Sequence, residues 1–241
     1  MLDLYPWQQD EWQQLWRTHT QGLHHAILLH GPQGIGKHAF ARAVVHALLC
    51  EAHTPPQLAC GLCAACRWLQ AGHHPDFLLL APLEKEADDS KKTPRQVTHI
   101  SVDQVRALEP FAQTSAHRGG KKLVLIQPLE ALNVAASNAL LKTLEEPPAG
   151  VHFVLLSHQP QRLLPTVRSR CHAIALRRPA SAVAMTWLDE QAIAQASTWL
   201  AYADGAPLRA IEWSQHAHSL EQVWQALALR AGLDEVACSE A

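Results

Sequence analysis

Residues 25–38 read HAILLHGPQGIGKH, and this order of side chains indicates the class of fold. The first six residues form a short apolar run, which predicts a strand that is covered on both faces. Gly31, Gly34 and Gly36 then lead to Lys37 in the spacing G-x-x-x-x-G-K. Such glycines allow backbone N–H groups to surround a phosphate, and the lysine reaches the outer phosphates. The stretch therefore predicts a strand, a phosphate loop and the start of a helix; a glycine-rich turn without a ligand is the alternative.

Further apolar runs on both sides of polar, helically spaced segments predict the rest of a sheet. Short apolar strands that alternate with helices are typical of a parallel sheet with helices on both faces. We therefore predict an α/β fold. The predicted strands are His25–His30, Phe77–Leu80, Leu123–Ile126, Val151–Leu156 and His172–Leu176, and the predicted helices include 6–19, Lys37–Leu49, Ser101–Ala112 (begun by a Ser101/Gln104 capping box) and Asn133–Leu144.

An ATP-hydrolysing phosphate loop needs partners that this chain lacks. The residue after Lys37 normally carries a hydroxyl for Mg²⁺, and here it is His38. An acidic residue normally ends the third strand and a glutamate base follows, whereas this chain has Gln127 and Pro128. Glu130 lies further on, and we interpret it as a surface carboxylate rather than a displaced catalyst. The three replacements predict a site that does not hydrolyse nucleotide, although its binding of ATP or ADP stays open.

A cluster of cysteines begins where the helix after the phosphate loop should end. Cys50, Cys60, Cys63 and Cys66 have the spacing C-x9-C-x2-C-x2-C. Four thiolates form a closed tetrahedral Zn²⁺ site with no position left for a substrate water, so the predicted zinc is structural. Buried or incidental cysteine is the alternative interpretation.

Composition excludes several classes of protein. The 241 residues are 48% hydrophobic and 17% charged with a net charge of −2, so no global basic field indicates nucleic-acid binding. No apolar stretch approaches the roughly 18 residues that a membrane span needs, and the N-terminus does not resemble a signal peptide. We expect a cytoplasmic protein, in which six cysteines favour thiols and metal over disulfides.

The pattern changes after Arg178. Residues 180–235 are rich in Ala, Leu, Gln and Trp with helical spacing, which predicts a separate all-helical region. We therefore place an α/β domain at 1–178, with the cysteine module at 50–66, and a helical domain at 179–217. The charged segment 82–99 is predicted to be an exposed loop.

Several stretches, taken in order, resemble the bacterial DNA polymerase III clamp-loader subunits, a family of AAA+ proteins. The resemblance covers about residues 5–210 and implies an AAA+ sheet domain followed by a small helical lid. The matching stretches are His25–Lys37, the four cysteines, Ala71–Asp76, Asn138–Pro148 and Ser169–Cys171.

Within that family the chain resembles the stator subunit rather than the ATP-hydrolysing gamma/tau subunit. Gamma-like chains keep a loop hydroxyl and an Asp-Glu pair where this chain has His38, Gln127 and Pro128. The resemblance implies that Arg170 is an arginine finger, which acts in trans on the ATP site of a neighbouring gamma subunit. Without the resemblance, an arginine at this place is more often a salt-bridged or solvated residue.

The resemblance also implies partners and further site residues. The partners are the gamma/tau and delta subunits and, through the complex, the sliding clamp and primed DNA. The chain would be a component of the DNA polymerase III holoenzyme without independent ATPase activity. Ser157 occupies the place of a phosphate-sensing residue, and Arg209 resembles a second sensor from the lid. The family carries a helical collar domain, of which residues 218–241 are expected to be only the start. The chain is therefore expected to be either truncated or an unusually short form, and its assembly into a pentamer stays open.

Two other functions stay open from the sequence. The first is an ATP-hydrolysing gamma/tau-type motor subunit, which the intact Lys37 favours. The second is a zinc-finger DNA-binding module, against which the acidic balance and the closed cysteine site argue.

Overall fold

Five parallel strands form the centre of the computed structural model, which describes residues 4–18, 23–82, 99–118 and 120–216. The strands are β1 (Ala26–His30), β2 (Phe77–Leu80), β3 (Lys122–Ile126), β4 (Val151–Ser157) and β5 (His172–Ala175). Their spatial order is β2-β3-β4-β1-β5, and every neighbouring pair is parallel. The predicted parallel α/β sheet is confirmed.

Helices connect the strands, as a parallel sheet requires. They are α1 (Gln9–Thr18), α2 (Lys37–Leu49), α3 (Ala64–Gln70), α4 (Val102–Arg106), α5 (Leu108–Gln113), α6 (Val134–Glu145) and α7 (Pro165–Arg168). The apolar side chains of β1, β3 and β4 are buried almost throughout, because these three strands lie in the interior of the sheet. Burial of these apolar side chains helps to stabilise the fold.

The register of the strands determines which residues share one edge of the sheet. Leu80 lies beside Ile126, and His30 lies beside Ser157. In a parallel sheet all carboxyl ends point to the same edge, where ligands of α/β proteins bind. The residues that follow β1, β3 and β4 therefore lie at one edge, which is where the phosphate loop begins.

One predicted helix is divided in two. The capping box at its start is present, since Gln104 N–H donates to Ser101 Oγ (3.3 Å) and Ser101 N–H donates to Gln104 Oε1 (2.9 Å). The helix ends after Arg106, however, and a second one begins at Leu108. Pro110 explains the division, because it has no N–H to donate to the preceding turn and is tolerated only near the start of a helix.

The chain divides into two compact units, residues 1–177 and 178–241. The described part of the second unit contains three helices, α8 (Ser181–Glu190), α9 (Ala196–Tyr202) and α10 (Pro207–Gln215). Residues 83–98, most of the predicted charged loop, and all of 218–241 lie outside the described residues. Among the described helices, none combines the length and the apolar character that crossing a bilayer requires.

Candidate phosphate-loop and metal sites

The phosphate loop joins the carboxyl end of β1 to the amino end of α2, as predicted, and contains Gly31, Gly34 and Gly36. Gly31 passes so close to Leu176 that a Cβ atom would lie 2.1 Å from the Leu176 carbonyl oxygen. Gly36 has a φ of +84°, which residues with a side chain rarely adopt. A Cβ atom there would also lie 2.4 Å from the ring of Tyr5. The backbone path itself therefore requires glycine at the first and last of these positions.

Side chains near the N-terminus hold the loop in place. The Gln8 amide donates to the carbonyl oxygens of Ile35 (3.1 Å) and Gly36 (3.0 Å). The Trp7 indole N–H donates to the same Ile35 oxygen (3.0 Å), and its ring stacks on Tyr5 with the centroids 4.9 Å apart. No sequence motif marks these contacts, which join residues 27 and 28 positions apart and could not be predicted from the sequence.

Lys37 is buried within its own loop. Its side chain is only 3% exposed, and Nζ donates to the carbonyl oxygen of Pro32. Burial lowers the pKa of Lys37 to about 8, while the Glu130 carboxylate acts in the opposite direction. The ammonium is thus held by a backbone oxygen and attracted by one carboxylate.

The end of β3 carries no acidic group beside the loop. The side chain of Gln127 is buried, and its Oε1 has no hydrogen-bond partner among the described residues. Its backbone N–H donates to Leu80 O (2.9 Å), and the peptide bond to Pro128 is cis. His38 lies exposed in the first turn of α2. The arrangement brings Lys37 to the sheet edge without the hydroxyl and carboxylates that bind Mg²⁺ in an active loop.

Glu130 is not the surface carboxylate that we expected from the sequence. A short 3-10 turn, Leu129–Ala131, brings Glu130 back against the end of β4, where it is half-buried. Its Oε1 accepts a 2.6 Å hydrogen bond from Ser157 Oγ and another from the backbone N–H of Gln159. Burial alone would raise the pKa of Glu130, but these donors outweigh it and keep the pKa below the usual value. The carboxylate is therefore ionised and bonded to the proposed sensor residue, Ser157.

Arg170 follows α7 and is partly exposed. Its Nη1 donates to the carbonyl oxygen of Thr166 (2.9 Å), and its Nη2 lies 2.6 Å from Glu145 Oε1 at the end of α6. About a third of the side chain (34%) is exposed. The guanidinium is therefore positioned by its own chain and still reachable from solvent.

Arg209 lies on α10 in the second unit. Its guanidinium lies 4.5 Å from the centre of the Trp213 ring, in a cation–π contact. This contact gives the side chain a structural role within α10, and its role as a nucleotide sensor stays a prediction.

The four predicted metal ligands converge between the end of α2 and the start of α3. The sulfur atoms of Cys50, Cys60, Cys63 and Cys66 all lie within 4.8 Å of one another, and those of Cys60 and Cys66 are 4.0 Å apart. Thiolates bound tetrahedrally at about 2.3 Å from Zn²⁺ would be about 3.8 Å apart, so this arrangement fits zinc closely. In the part of the chain that the structure describes, it is the one His/Cys/Asp/Glu group of this kind.

Backbone N–H groups are directed at the sulfur atoms. Cys50 Sγ accepts from the N–H groups of His53 (3.3 Å) and Cys60 (3.4 Å), and Cys60 Sγ accepts from those of Leu62 (3.4 Å) and Cys63 (3.3 Å). Burial opposes ionisation of Cys50, but the hydrogen bonds outweigh it and lower its pKa. Similar bonds lower the pKa of Cys60. Because metal ligation requires thiolates, the local backbone favours the form that binds zinc at Cys50 and Cys60, whereas burial raises the pKa of Cys66.

Asp76 connects the cysteine module to the sheet, a role that the sequence did not indicate. It is fully buried, and its carboxylate accepts from the backbone N–H groups of His117 (2.8 Å) and Arg118 (2.9 Å). The Arg118 side chain donates in turn to Glu51, next to the first cysteine, and lies 4.9 Å from the centre of the Trp68 ring. The chain entering β3 is therefore tied to Glu51, just after α2, and to Trp68 on α3.

Comparisons with known proteins find similar sequences over most of the chain. A protein-family profile described as DNA polymerase III, delta subunit, matches residues 7–180. The chain is 46% identical over 215 residues to the DNA polymerase III subunit delta' of Pseudomonas aeruginosa, covering 87% of this chain and 61% of that protein. It is also 37% identical over 152 residues to the DNA polymerase III subunit tau of Escherichia coli, covering 62% of this chain and 21% of that protein.

The fold has a counterpart among solved structures. A DNA polymerase III gamma-subunit-related protein from Thermotoga maritima is 22% identical, with a TM-score of 0.55, covering 90% of this chain and 62% of that one. This likeness concerns the fold alone. The chain spans between about half and two thirds of the length of the curated delta' relatives that it matches.

Proposed function

Because the chain belongs to the DNA polymerase III delta' subunit family, we propose that it is a stator subunit of a clamp loader. In this role it does not hydrolyse ATP. It supplies Arg170 to the ATP site of a neighbouring gamma/tau-type subunit, so that hydrolysis is coupled to loading of the sliding clamp on primed DNA.

The end of β3 is the observation that carries the non-hydrolysing part of the proposal. Hydrolysis requires a metal held by an acidic side chain and a base that activates water. At this place the chain has a buried amide, Gln127, followed by Pro128, and Lys37 is bonded to its own loop. The carboxylate that lies closest along the chain, Glu130, is engaged by Ser157 and Gln159. The Oε1 atom of Glu130 is therefore already used by these two donors, which hold the carboxylate against the end of β4.

The position of Arg170 supports the second part of the proposal. An arginine finger must be held at a fixed place and yet extend from its own subunit to a neighbouring phosphate. The contacts with Thr166 and Glu145 fix the guanidinium, and the partial exposure leaves it reachable. Its planar, permanently charged group suits the charge that develops on a transferring phosphoryl group.

The cysteine module and the helical unit complete the proposal. Cys50, Cys60, Cys63 and Cys66 would hold Zn²⁺, which when bound offsets part of the charge of the thiolates and fixes the segment between α2 and α3. We assign residues 1–178 to the AAA+ domain, 179–217 to its lid and 218–241 to the start of a collar. Contacts with the gamma/tau and delta subunits would place the chain in the DNA polymerase III holoenzyme.

ATP turnover by the purified chain tests the proposal directly. We expect no Mg²⁺-dependent hydrolysis above that of a Lys37→Ala variant. Hydrolysis that Lys37→Ala abolishes would instead favour the gamma/tau-type motor, the alternative that the intact phosphate loop supports. Zinc-dependent, salt-sensitive binding of DNA by the isolated chain would favour a DNA-binding module.

A further inference from the structure

Glu130 occupies an unusual place, at the sheet edge where the phosphates of a bound nucleotide would lie. Its Oε1 takes the hydroxyl hydrogen of Ser157, at the end of β4, and the backbone N–H of Gln159. Both are donors of the kind that bind phosphate oxygens at the carboxyl edge of a parallel sheet. A side chain of the protein itself therefore already uses hydrogen-bond donors that an anionic ligand would need.

The charged groups around Lys37 also indicate that Glu130 lies where an anionic ligand would bind. Lys37 is buried, and Glu130 is the acidic group that stabilises its charge against burial. The charges of the same two residues have opposite effects on the pKa of the nearby His158, which Lys37 lowers and Glu130 raises. The Nδ1 atom of His158 is buried and has no hydrogen-bond partner among the described residues. Lys37, Glu130 and His158 thus belong to one electrostatic group. The negative charge in that group is supplied from within the chain.

We propose that Glu130 is an internal counter-anion that takes the place of a nucleotide phosphate, closing the phosphate loop to polyphosphate ligands and keeping the β4 edge in one conformation. The proposal rests on the non-hydrolysing function proposed above and gives it a physical cause. A polyphosphate entering the loop would meet a like charge and would have to displace Glu130 from Ser157. Both effects oppose binding, since like charges repel strongly in a partly buried site.

Glu130→Gln is the direct test, because the amide oxygen can still accept from Ser157 and Gln159 while the negative charge is removed. Isothermal titration of the full chain with Mg²⁺-free ATP, and separately with inorganic pyrophosphate, measures the effect near neutral pH. We expect Glu130→Gln to bind both probes at least tenfold more tightly than the unaltered chain. Glu109→Gln, which removes a charge from an exposed carboxylate on α5, is the matched control and should bind like the unaltered chain.

The site of binding is tested by combining the change with Lys37→Ala. The double variant should lose the gain, because the released anion site includes the Lys37 ammonium. A gain that persists in the double variant would overturn the proposal, since the anion would then bind elsewhere. Glu130→Ala, which removes the hydrogen bonds as well, provides a second folded variant if the amide disturbs the turn.

The outcomes separate this inference from the proposed function. If the unaltered chain hydrolyses ATP, the proposed function is wrong. If the unaltered chain does not hydrolyse ATP and neither folded Glu130 variant gains affinity for ATP or pyrophosphate, only the counter-anion assignment is wrong. Tighter binding of ATP without tighter binding of pyrophosphate would also contradict it, because the assignment concerns phosphate charge.

Discussion

Acid should destabilise this protein through a histidine on α2, and His46→Leu should remove part of that effect. His46 is 2% exposed, and its Nδ1 has no hydrogen-bond partner among the described residues. Burial, with the positive charge of Arg42 and the neighbouring His74 adding to it, lowers the pKa of His46 from 6.5 to about 4. The folded protein therefore keeps this imidazole neutral where the unfolded chain takes up a proton.

The direction and size of the change in the free energy of unfolding follow from this difference in proton binding. Above pH 6.5 both states are neutral and the free energy of unfolding is unaffected, whereas below it the unfolded state binds the proton first. Stability is therefore lost as the pH falls from 6.5 towards 4. Between about pH 7.5 and about pH 5.5, His46 alone should lower the free energy of unfolding by about 1.3 kcal/mol.

Urea unfolding of the full chain at both pH values, followed by circular dichroism, measures this loss. The loss of stability between the two pH values should be about 1.3 kcal/mol smaller in His46→Leu than in the unaltered chain. His73→Leu replaces an exposed histidine and is the control, which should lose as much stability as the unaltered chain. Buried histidines that do not interact with His46 contribute equally to all three proteins and cancel in the comparison; His74, whose charge acts on His46, is the exception. Equal losses in the unaltered chain and His46→Leu would refute the reasoning.

Two further predictions concern the cysteine module and the phosphate loop. Freshly purified, reduced protein should contain about one equivalent of zinc by metal analysis, and Cys63→Ser or a chelator should lower the thermal unfolding midpoint; less than half an equivalent would contradict the site. Gly36→Ala and Gly72→Ala both place a side chain at a left-handed φ (+84° and +77°), but only the first would contact Tyr5. Gly72→Ala should therefore lower the free energy of unfolding by about 1 kcal/mol, and Gly36→Ala should lower it by at least about 1 kcal/mol more, as measured by urea unfolding. Equal losses of stability in the two variants would show that the Tyr5 contact does not hold the loop.

The sheet and the phosphate loop could be predicted because their signals are local. A short apolar run between turn residues is typical of a strand, and the strand predicted at 123–126 is found at Lys122–Ile126. The run Phe77–Leu80 also forms a strand, but it lies at the edge of the sheet and Leu79 is exposed. The glycine spacing likewise specifies a turn before α2. The cysteine spacing predicted a cluster, and the four sulfur atoms do converge.

What the sequence could not indicate depends on contacts between distant residues. Glu130 looks exposed because it follows a strand and a proline, but a 3-10 turn brings it to Ser157, 27 positions away. The bonds from Gln8 to the loop and from Arg170 to Glu145 join elements that no periodicity relates. Such pairs are decided by tertiary packing, which overrides local preference.

We propose that this chain serves a neighbouring ATP site through Arg170, and a single rate in the reconstituted complex decides whether it does. It is the steady-state ATPase rate of a clamp loader reconstituted with the full-length subunit carrying Arg170→Ala. We expect the altered subunit still to join the complex and ATP hydrolysis to fall several-fold, because one site loses its transition-state charge partner. Unchanged ATP hydrolysis and normal clamp loading by the assembled Arg170→Ala complex would contradict it.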